Sequence, residues 1–290
     1  MKYAFIHKHR SVFGVEKMCR ALRLSRSGYY AWVDRPQSNR SKENRLLLSK
    51  IRKSHKLSKG IYGSPRITED LHDWGYKVSR VRVARLMQAN GIRSKIKRKF
   101  KVTTHSDHKL PISPNLLNRN FSASAPNLIL VSDLTYIRTK EGWLYLTTIM
   151  DLFHKKIVGW SMSRTMAAEQ TAIPAIRHYL RTCKPAPGVI FHSDRGVQYA
   201  STKFRELLDG NGFVQSMSGQ GNCYDNAVAE SFFKTLKTEL VYHERYLTRA
   251  QARNSIFEYI EIFYNRIRKH SALGYLSPVQ YELNATKTAA

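Results

Sequence analysis

Asp133, Asp194 and Glu230 are the residues of this 290-residue chain whose types and settings point most directly to chemistry. Asp133 falls inside residues 128–137, an apolar, partly β-branched run that should be buried. A carboxylate there is costly unless it is paired or bound to a cation. Asp194 closes a short apolar stretch at 188–191, and the C-terminal ends of strands are where open α/β sheets hold ligands. Glu230 lies one turn into a helical stretch at 226–240. Three carboxylates from two strands and one helix supply the all-oxygen donor set that Mg²⁺ takes. They suffice for two ions about 3.5–4 Å apart, the arrangement used for in-line phosphoryl transfer. Spacing alone leaves plainer readings open. A strand Asp also caps neighbouring backbone, and Glu230 is placed to pair with Lys234 at i,i+4.

The elements that must carry these acids follow from periodicity. Residues 128–137, 144–153 and 156–162 predict an antiparallel meander turned at Gly142. Residues 167–183 are helical in pattern, with Ala172, Ile176 and Leu180 spaced by four, and 203–208 form another helix. Phe213-Val214 opens a further strand. The 226–240 helix gathers Ala229, Phe232, Leu236 and Leu240 on its apolar face, with Lys234 and Lys237 on the face of Glu230. Before it lies a flexible loop, 218–222. A meander followed by alternating helix and strand predicts an α/β fold, a mixed sheet with helices on its faces. His192 could orient a phosphate, tune a metal shell or merely cap the strand. Gln198 and Tyr199 read as packing or supporting residues. Asn226 serves equally as a helix cap or a DNA contact, and Asp225 reads as a helix cap.

Charge separates the chain into two parts. Residues 1–120 hold 29 Lys and Arg against 7 Asp and Glu, a net of +22; the remainder nets only +6. The first part reads as a grip on a polyanion, with nucleic acid the default partner. Hydrophobic residues make up 42% of the chain, enough for a real core, which excludes a disordered polycation. No apolar run reaches the ~18 residues of a membrane span. Three scattered cysteines exclude a disulfide framework or a CxxC zinc site and fit a reducing compartment. Around 15–32 the pattern suggests two short helices. A clearer pair follows, with Ser64 as N-cap and Pro65 next, Ile67, Leu71 and Trp74 on one face, then Ser79 capping a second helix over Val83, Leu86 and Met87. Gly75 and Gly91 end them. Two short helices bearing Arg80, Arg82 and Arg85 suit a helix-turn-helix. A basic run containing Lys95, Lys97, Arg98 and Lys99 leads into a polar connector.

The linked blocks resemble a known family. His192-Ser193-Asp194-Arg195-Gly196-Val197-Gln198-Tyr199 and Asp225-Asn226-Ala227-Val228-Ala229-Glu230-Ser231-Phe232-Phe233-Lys234 resemble the core of DDE transposases and retroviral integrases, with 35 residues between the last two acids. With Tyr62-Gly63-Ser64-Pro65-Arg66-Ile67 and His270-Ser271-Ala272-Leu273-Gly274-Tyr275, the chain is similar over nearly its whole length to OrfB transposases of the two-reading-frame insertion sequences, the IS3 family. The resemblance implies a ribonuclease-H-like integrase core preceded by small helical units. It divides the chain into a basic helical region (1–58), a helix-turn-helix unit with its basic run (59–101), a linker (102–125), a catalytic core (126–242) and a helical tail (243–290). It assigns Asp133, Asp194 and Glu230 as catalytic ligands of two Mg²⁺ ions, with Mn²⁺ able to substitute. Lys234 and Lys237 would touch the transposon end. The implied activity is cleavage at insertion-sequence ends followed by 3′-OH strand transfer. The implied partners are duplex DNA of the terminal repeats and target, further copies of the chain, and the product of an upstream frame, separate or fused. The implied setting is the bacterial cytoplasm, at the nucleoid. Two departures stand out: Leu130 where the family often has Trp, and Gly219-Gln220 where it often has basic residues. A helix-turn-helix regulator with an inactive core and a ribonuclease-H-type nuclease are the competing classes.

Overall fold

The computed structural model describes residues 1–95, 111–219 and 223–289. Helices α1 (Lys2–His9), α2 (Val15–Ala21) and α3 (Arg26–Val33) pack around Ile6, Met18, Cys19 and Tyr29. Sequence pattern misses α1, because Ile6 is its only buried residue and no apolar period forms. Helix α4 (Asn39–Leu57) is charged along most of its length and buries Leu47, Ile51 and Ser54. It packs on both α5 (Ser64–Asp73) and α6 (Arg80–Ala89). The helix-turn-helix pair is therefore part of a three-helix unit that starts well before residue 59. At α5, Gly63 and not Ser64 holds the N-cap position. Ser79 caps α6 as expected, its hydroxyl accepting from Arg82 N–H at 3.3 Å.

Five strands form one mixed sheet: β1 (Ile129–Thr139), β2 (Gly142–Asp151), β3 (Ile157–Ser163), β4 (Ile190–Ser193) and β5 (Val214–Met217). Their spatial order is β3-β2-β1-β4-β5. The first three pair antiparallel, whereas β4 runs parallel to both β1 and β5. This is the expected ribonuclease-H-like integrase sheet. Alternation along β1 sends Leu130 to one face and Val131 to the other. On the Leu130 face lie α7 (Ala172–Thr182), α8 (Val197–Ala200) and α9 (Thr202–Asp209), with Tyr179, Phe191 and Phe204 in the interior. Gly159 permits close packing there: a Cβ would stand 2.7 Å from the Ala175 carbonyl oxygen.

The Val131 face is covered by α10 (Ala227–Glu239) and α11 (Arg249–Phe257), the latter running on as a π-helix, Glu258–Ile267. Helix α12 (Pro278–Ala289) follows. The segment read as a tail is thus a structural layer of the core. Its Asn265 side chain accepts from Ile157 N–H and donates to Ile157 C=O, both at 3.0 Å. Leu47, Ile51, Tyr62, Ile67 and Leu71 of the helix-turn-helix unit belong to the same apolar cluster. The two parts share one interior, although their charge differs sharply.

The connector is docked as well. Leu116 N–H donates to Ser216 Oγ at 3.0 Å, Ser113 Oγ donates to Gln215 at 3.0 Å, and Met217 N–H donates to Pro114 C=O at 3.3 Å. It lies along the outer edge of β5, where exposed backbone would otherwise invite another strand. Lys97, Arg98 and Lys99 fall outside the described residues.

Candidate active site

The sheet brings the first two acids together through one register. Ser132 pairs with Ser193 across the parallel β1–β4 ladder, so Asp133 and Asp194 follow side by side. Asp133 is half-buried on the face of Val131, and its Oδ1 accepts from Leu134 N–H at 2.7 Å. Asp194 leaves the end of β4 and accepts from Gly196 N–H at 3.0 Å, a turn that leads straight into α8. A Cβ on Gly196 would overlap the Gln198 amide, which folds over this turn. Glu230 stands in the first turn of α10, exposed to solvent.

The three carboxylates lie within electrostatic reach of one another. Burial and then the Asp194 carboxylate push the Asp133 carboxyl well above the usual range; Glu230 adds to this, while Leu134 N–H and Lys237 oppose it. Partial desolvation and then Asp194 raise Glu230. Among the described residues there is no Glu230–Lys234 ion pair, and no three His, Cys, Asp or Glu side chains close into a preformed metal cage. The donor set still fits Mg²⁺: it is all oxygen and concentrates negative charge that a divalent cation would neutralise. Lys237 Nζ stands 5.4 Å from the Tyr136 ring centroid, half-buried; burial lowers its pKa and Asp133 opposes that. Lys234 is exposed.

Behind the acids sits Tyr199, whose hydroxyl bonds Ser132 Oγ at 2.8 Å. His192 is fully buried. Its Nδ1 meets Ser216 Oγ at 2.8 Å and its Nε2 donates to the Asp225 carbonyl at 2.9 Å. Burial lowers its pKa. With both ring nitrogens engaged, His192 braces β4 to β5 and to the start of α10, and neither nitrogen is left to reach a phosphate.

Asn226 donates from Nδ2 to the Ser132 carbonyl at 3.3 Å, while its Oδ1 is buried without a partner among the described residues. It makes no side-chain capping bond to α10. Asp225 is not a helix cap either. Its carboxylate accepts from Asn115 Nδ2 at 2.9 Å, Gly219 N–H at 2.9 Å and Arg119 Nε at 3.3 Å. Sequence reads short polar residues before a helix as caps. Nothing local reveals a partner 110 residues upstream.

Of the basic residues proposed for DNA, Arg80 and Arg85 are exposed on α6. Arg82 is turned inward, bonding Asn44 Oδ1 at 2.7 and 3.0 Å and Glu43 Oε2 at 2.8 Å. It braces α6 to α4. Lys95 is half-buried, its backbone N–H donating to Gly60 C=O at 3.0 Å.

Comparison with known proteins follows the same layout. Residues 123–223 and 230–285 each match an integrase core domain family, and residues 41–100 match an HTH-like domain. The chain is 45% identical over 273 residues, 94% of its length, to all of the insertion element IS600 uncharacterized 31 kDa protein of Shigella sonnei. It is 43% identical over 284 residues, 97% of its length, to 98% of the transposase InsF for insertion sequence IS3A of Escherichia coli strain K12. Among solved structures, the simian T-cell lymphotropic virus intasome bound to a PP2A regulatory subunit aligns over 80% of this chain and 74% of that one, with 16% identity and a TM-score of 0.45. The HTLV-2 integrase catalytic core domain in complex with magnesium aligns over 54% of this chain and 96% of that one, with 16% identity and a TM-score of 0.40.

Proposed function

The chain belongs to the transposase family of insertion sequence IS3 and carries its integrase catalytic core, and from that premise we propose that Asp133, Asp194 and Glu230 drive cleavage at the ends of an insertion sequence and 3′-OH transfer to a new phosphate. The register that sets Asp133 beside Asp194 at the ends of paired strands is the observation that carries the reading, and Glu230 is close enough to act on Asp133 together with Asp194. They would hold Mg²⁺, and two ions suit three carboxylates of which Asp133 is central. When bound, the metal lowers the pKa of an attacking water and stabilises the leaving 3′ oxygen. The protein's own residues do the rest. β1 and β4 fix Asp133 and Asp194 on neighbouring strands, and α10 brings Glu230 to them. Lys237, whose ammonium faces the Tyr136 ring and lowers the proton affinity of Asp133, and the exposed Lys234 place positive charge where a terminal phosphate would lie. Water and a freed 3′-OH are both oxygen nucleophiles, so one site serves both displacements.

Arg80 and Arg85, with Lys95, Lys97, Arg98 and Lys99, supply the duplex grip. Two ends must be held for joining, which calls for several copies on DNA. A contribution from an upstream-frame product is part of the same reading. Among the described residues no helix is long and apolar enough to cross a membrane. The test is strand cleavage on a plasmid carrying the DNA that flanks this coding sequence. Cleavage in Mg²⁺ that stops in EDTA supports the proposal; cleavage unaffected by EDTA contradicts it.

A further inference from the structure

We propose that Asp225 is a positioning residue, a latch by which the connector from the DNA-binding unit sets the helix that carries Glu230. The inference rests on Glu230 being catalytic and deepens that reading. The carboxylate of Asp225 is buried and gathers three donors from two segments. Asn115 and Arg119 belong to the connector, and Gly219 to the loop before α10. Main chain at the same step is held from the other side, His192 Nε2 donating to the Asp225 carbonyl at 2.9 Å. Next to it, Asn226 donates to the carbonyl of Ser132, the residue before Asp133. The Asp225-Asn226 step is thus tied to β1, to β4 and to the connector, five and four residues before Glu230.

The connector also touches the brace directly. Leu116 N–H donates to the Ser216 hydroxyl, which bonds His192 Nδ1. The tautomer follows from the chain of bonds. Nε2 carries the proton, because it faces a carbonyl, and Nδ1 accepts from the Ser216 hydroxyl. A helix-cap role would engage the first N–H groups of α10; the Asp225 carboxylate engages none of them and instead holds segments that sequence separates widely. The connector joins the duplex grip to the core, so a pull on it reaches the Glu230 helix through this carboxylate.

Asn115→Asp separates the latch from other roles. Asn115 Oδ1 accepts from Leu117 N–H at 3.1 Å and Asn118 N–H at 3.2 Å, and an aspartate keeps that turn. It replaces the donor to Asp225 with a second anion. The full chain with Asn115→Asp should show at least a tenfold loss of cleavage turnover at saturating plasmid carrying the flanking DNA, with plasmid affinity within twofold of wild type. Amide exchange at Gly219 and Leu116 should speed up. Asp225→Ser, a good cap residue too short to span the connector, should show the same losses. In the pair Asn115→Asp with Asp225→Asn, donor and acceptor are exchanged, so turnover should exceed the product of the two single effects. Wild-type turnover and exchange in Asn115→Asp, full activity in Asp225→Ser, or single effects that simply multiply would overturn the latch. If Glu230→Gln cleaves normally, the catalytic reading fails instead, and the exchange rates alone then judge the latch.

Discussion

Replacing Glu239 by Gln should destabilise the protein strongly, because the change leaves a buried cation without its counter-charge. Glu239 ends α10, where a negative charge is disfavoured by the helix dipole. It is retained against that by Arg268, whose Nε and Nη2 donate at 2.8 and 2.7 Å, and by the Tyr259 hydroxyl at 2.7 Å. Arg66 of α5 stands at 3.7 Å from the same carboxylate. Glu239 and Arg268 side chains are 3% and 8% exposed, so solvent screens the pair little. Burial works against the Arg268 charge, yet Glu239 holds its pKa above the ordinary value. Glutamine keeps the volume but leaves that guanidinium uncompensated. Breaking a buried pair in this way costs about 3–5 kcal/mol, or roughly 5–8 °C in melting temperature for a chain of 290 residues. Thermal melting of the full chain at neutral pH reads it. Because Arg66 belongs to the helix-turn-helix unit, exchange protection of α5 should fall along with that of α10. A melting temperature within about 1.5 °C of wild type, no more than a 1 kcal/mol effect would give, would refute the argument that this carboxylate unites the two parts.

Further outcomes follow from the same structure. Burial, then Arg268 and Arg66, depress the His270 pKa to about 3. The unfolded chain therefore takes up this proton first as pH drops, and stability should fall from about pH 6.5 towards about 3. In His270→Gln, urea midpoints should change less between about pH 7 and pH 4.5, a span inside that window, and an equal change would count against the assignment. Asp133→Asn should stabilise the metal-free protein at neutral pH, since the folded-state pKa of Asp133 is raised and its ionisation is costly. The gain should shrink as pH falls from the raised folded-state pKa of Asp133 towards the ordinary carboxylate value; a variant less stable than wild type in EDTA contradicts this. Arg80→Ala with Arg85→Ala should reduce the slope of log affinity against log salt by about 0.9 for each phosphate that these arginines neutralise. An unchanged slope removes α6 from the duplex grip.

The sheet is legible in the sequence because its signals are local. Alternation, the Gly142 turn and β-branched runs mark β1 to β3, and the 226–240 helix shows its apolar stripe directly. The acids are legible because a carboxylate inside an apolar strand, such as Asp133, needs a reason. What escapes depends on distant partners. Arg82 looks like any exposed helical arginine until Glu43 and Asn44 of α4 close on it. Asp225 has the composition of a cap, and its actual donors come from the connector and the loop before α10. The segment after 243 reads as an appendage because its apolar residues, Tyr259, Ile260 and Phe263, find their neighbours only in segments far away in sequence, on the sheet and in the helix-turn-helix unit. Charge misleads in one respect: a boundary at the basic run separates surfaces, while Tyr62 and Phe263 meet in a common interior at 6.4 Å between ring centroids.

The most direct test of the central claim is a combined cleavage and joining assay on Asp133→Asn, Asp194→Asn and Glu230→Gln, using the plasmid with flanking DNA in Mg²⁺. The amides preserve shape but remove the charge that would hold the metal. Each variant should melt cooperatively, bind the plasmid as wild type does, and lose both cleavage and strand transfer. A folded variant that keeps near-normal cleavage, or one that loses joining alone, would contradict a single three-carboxylate site serving both steps.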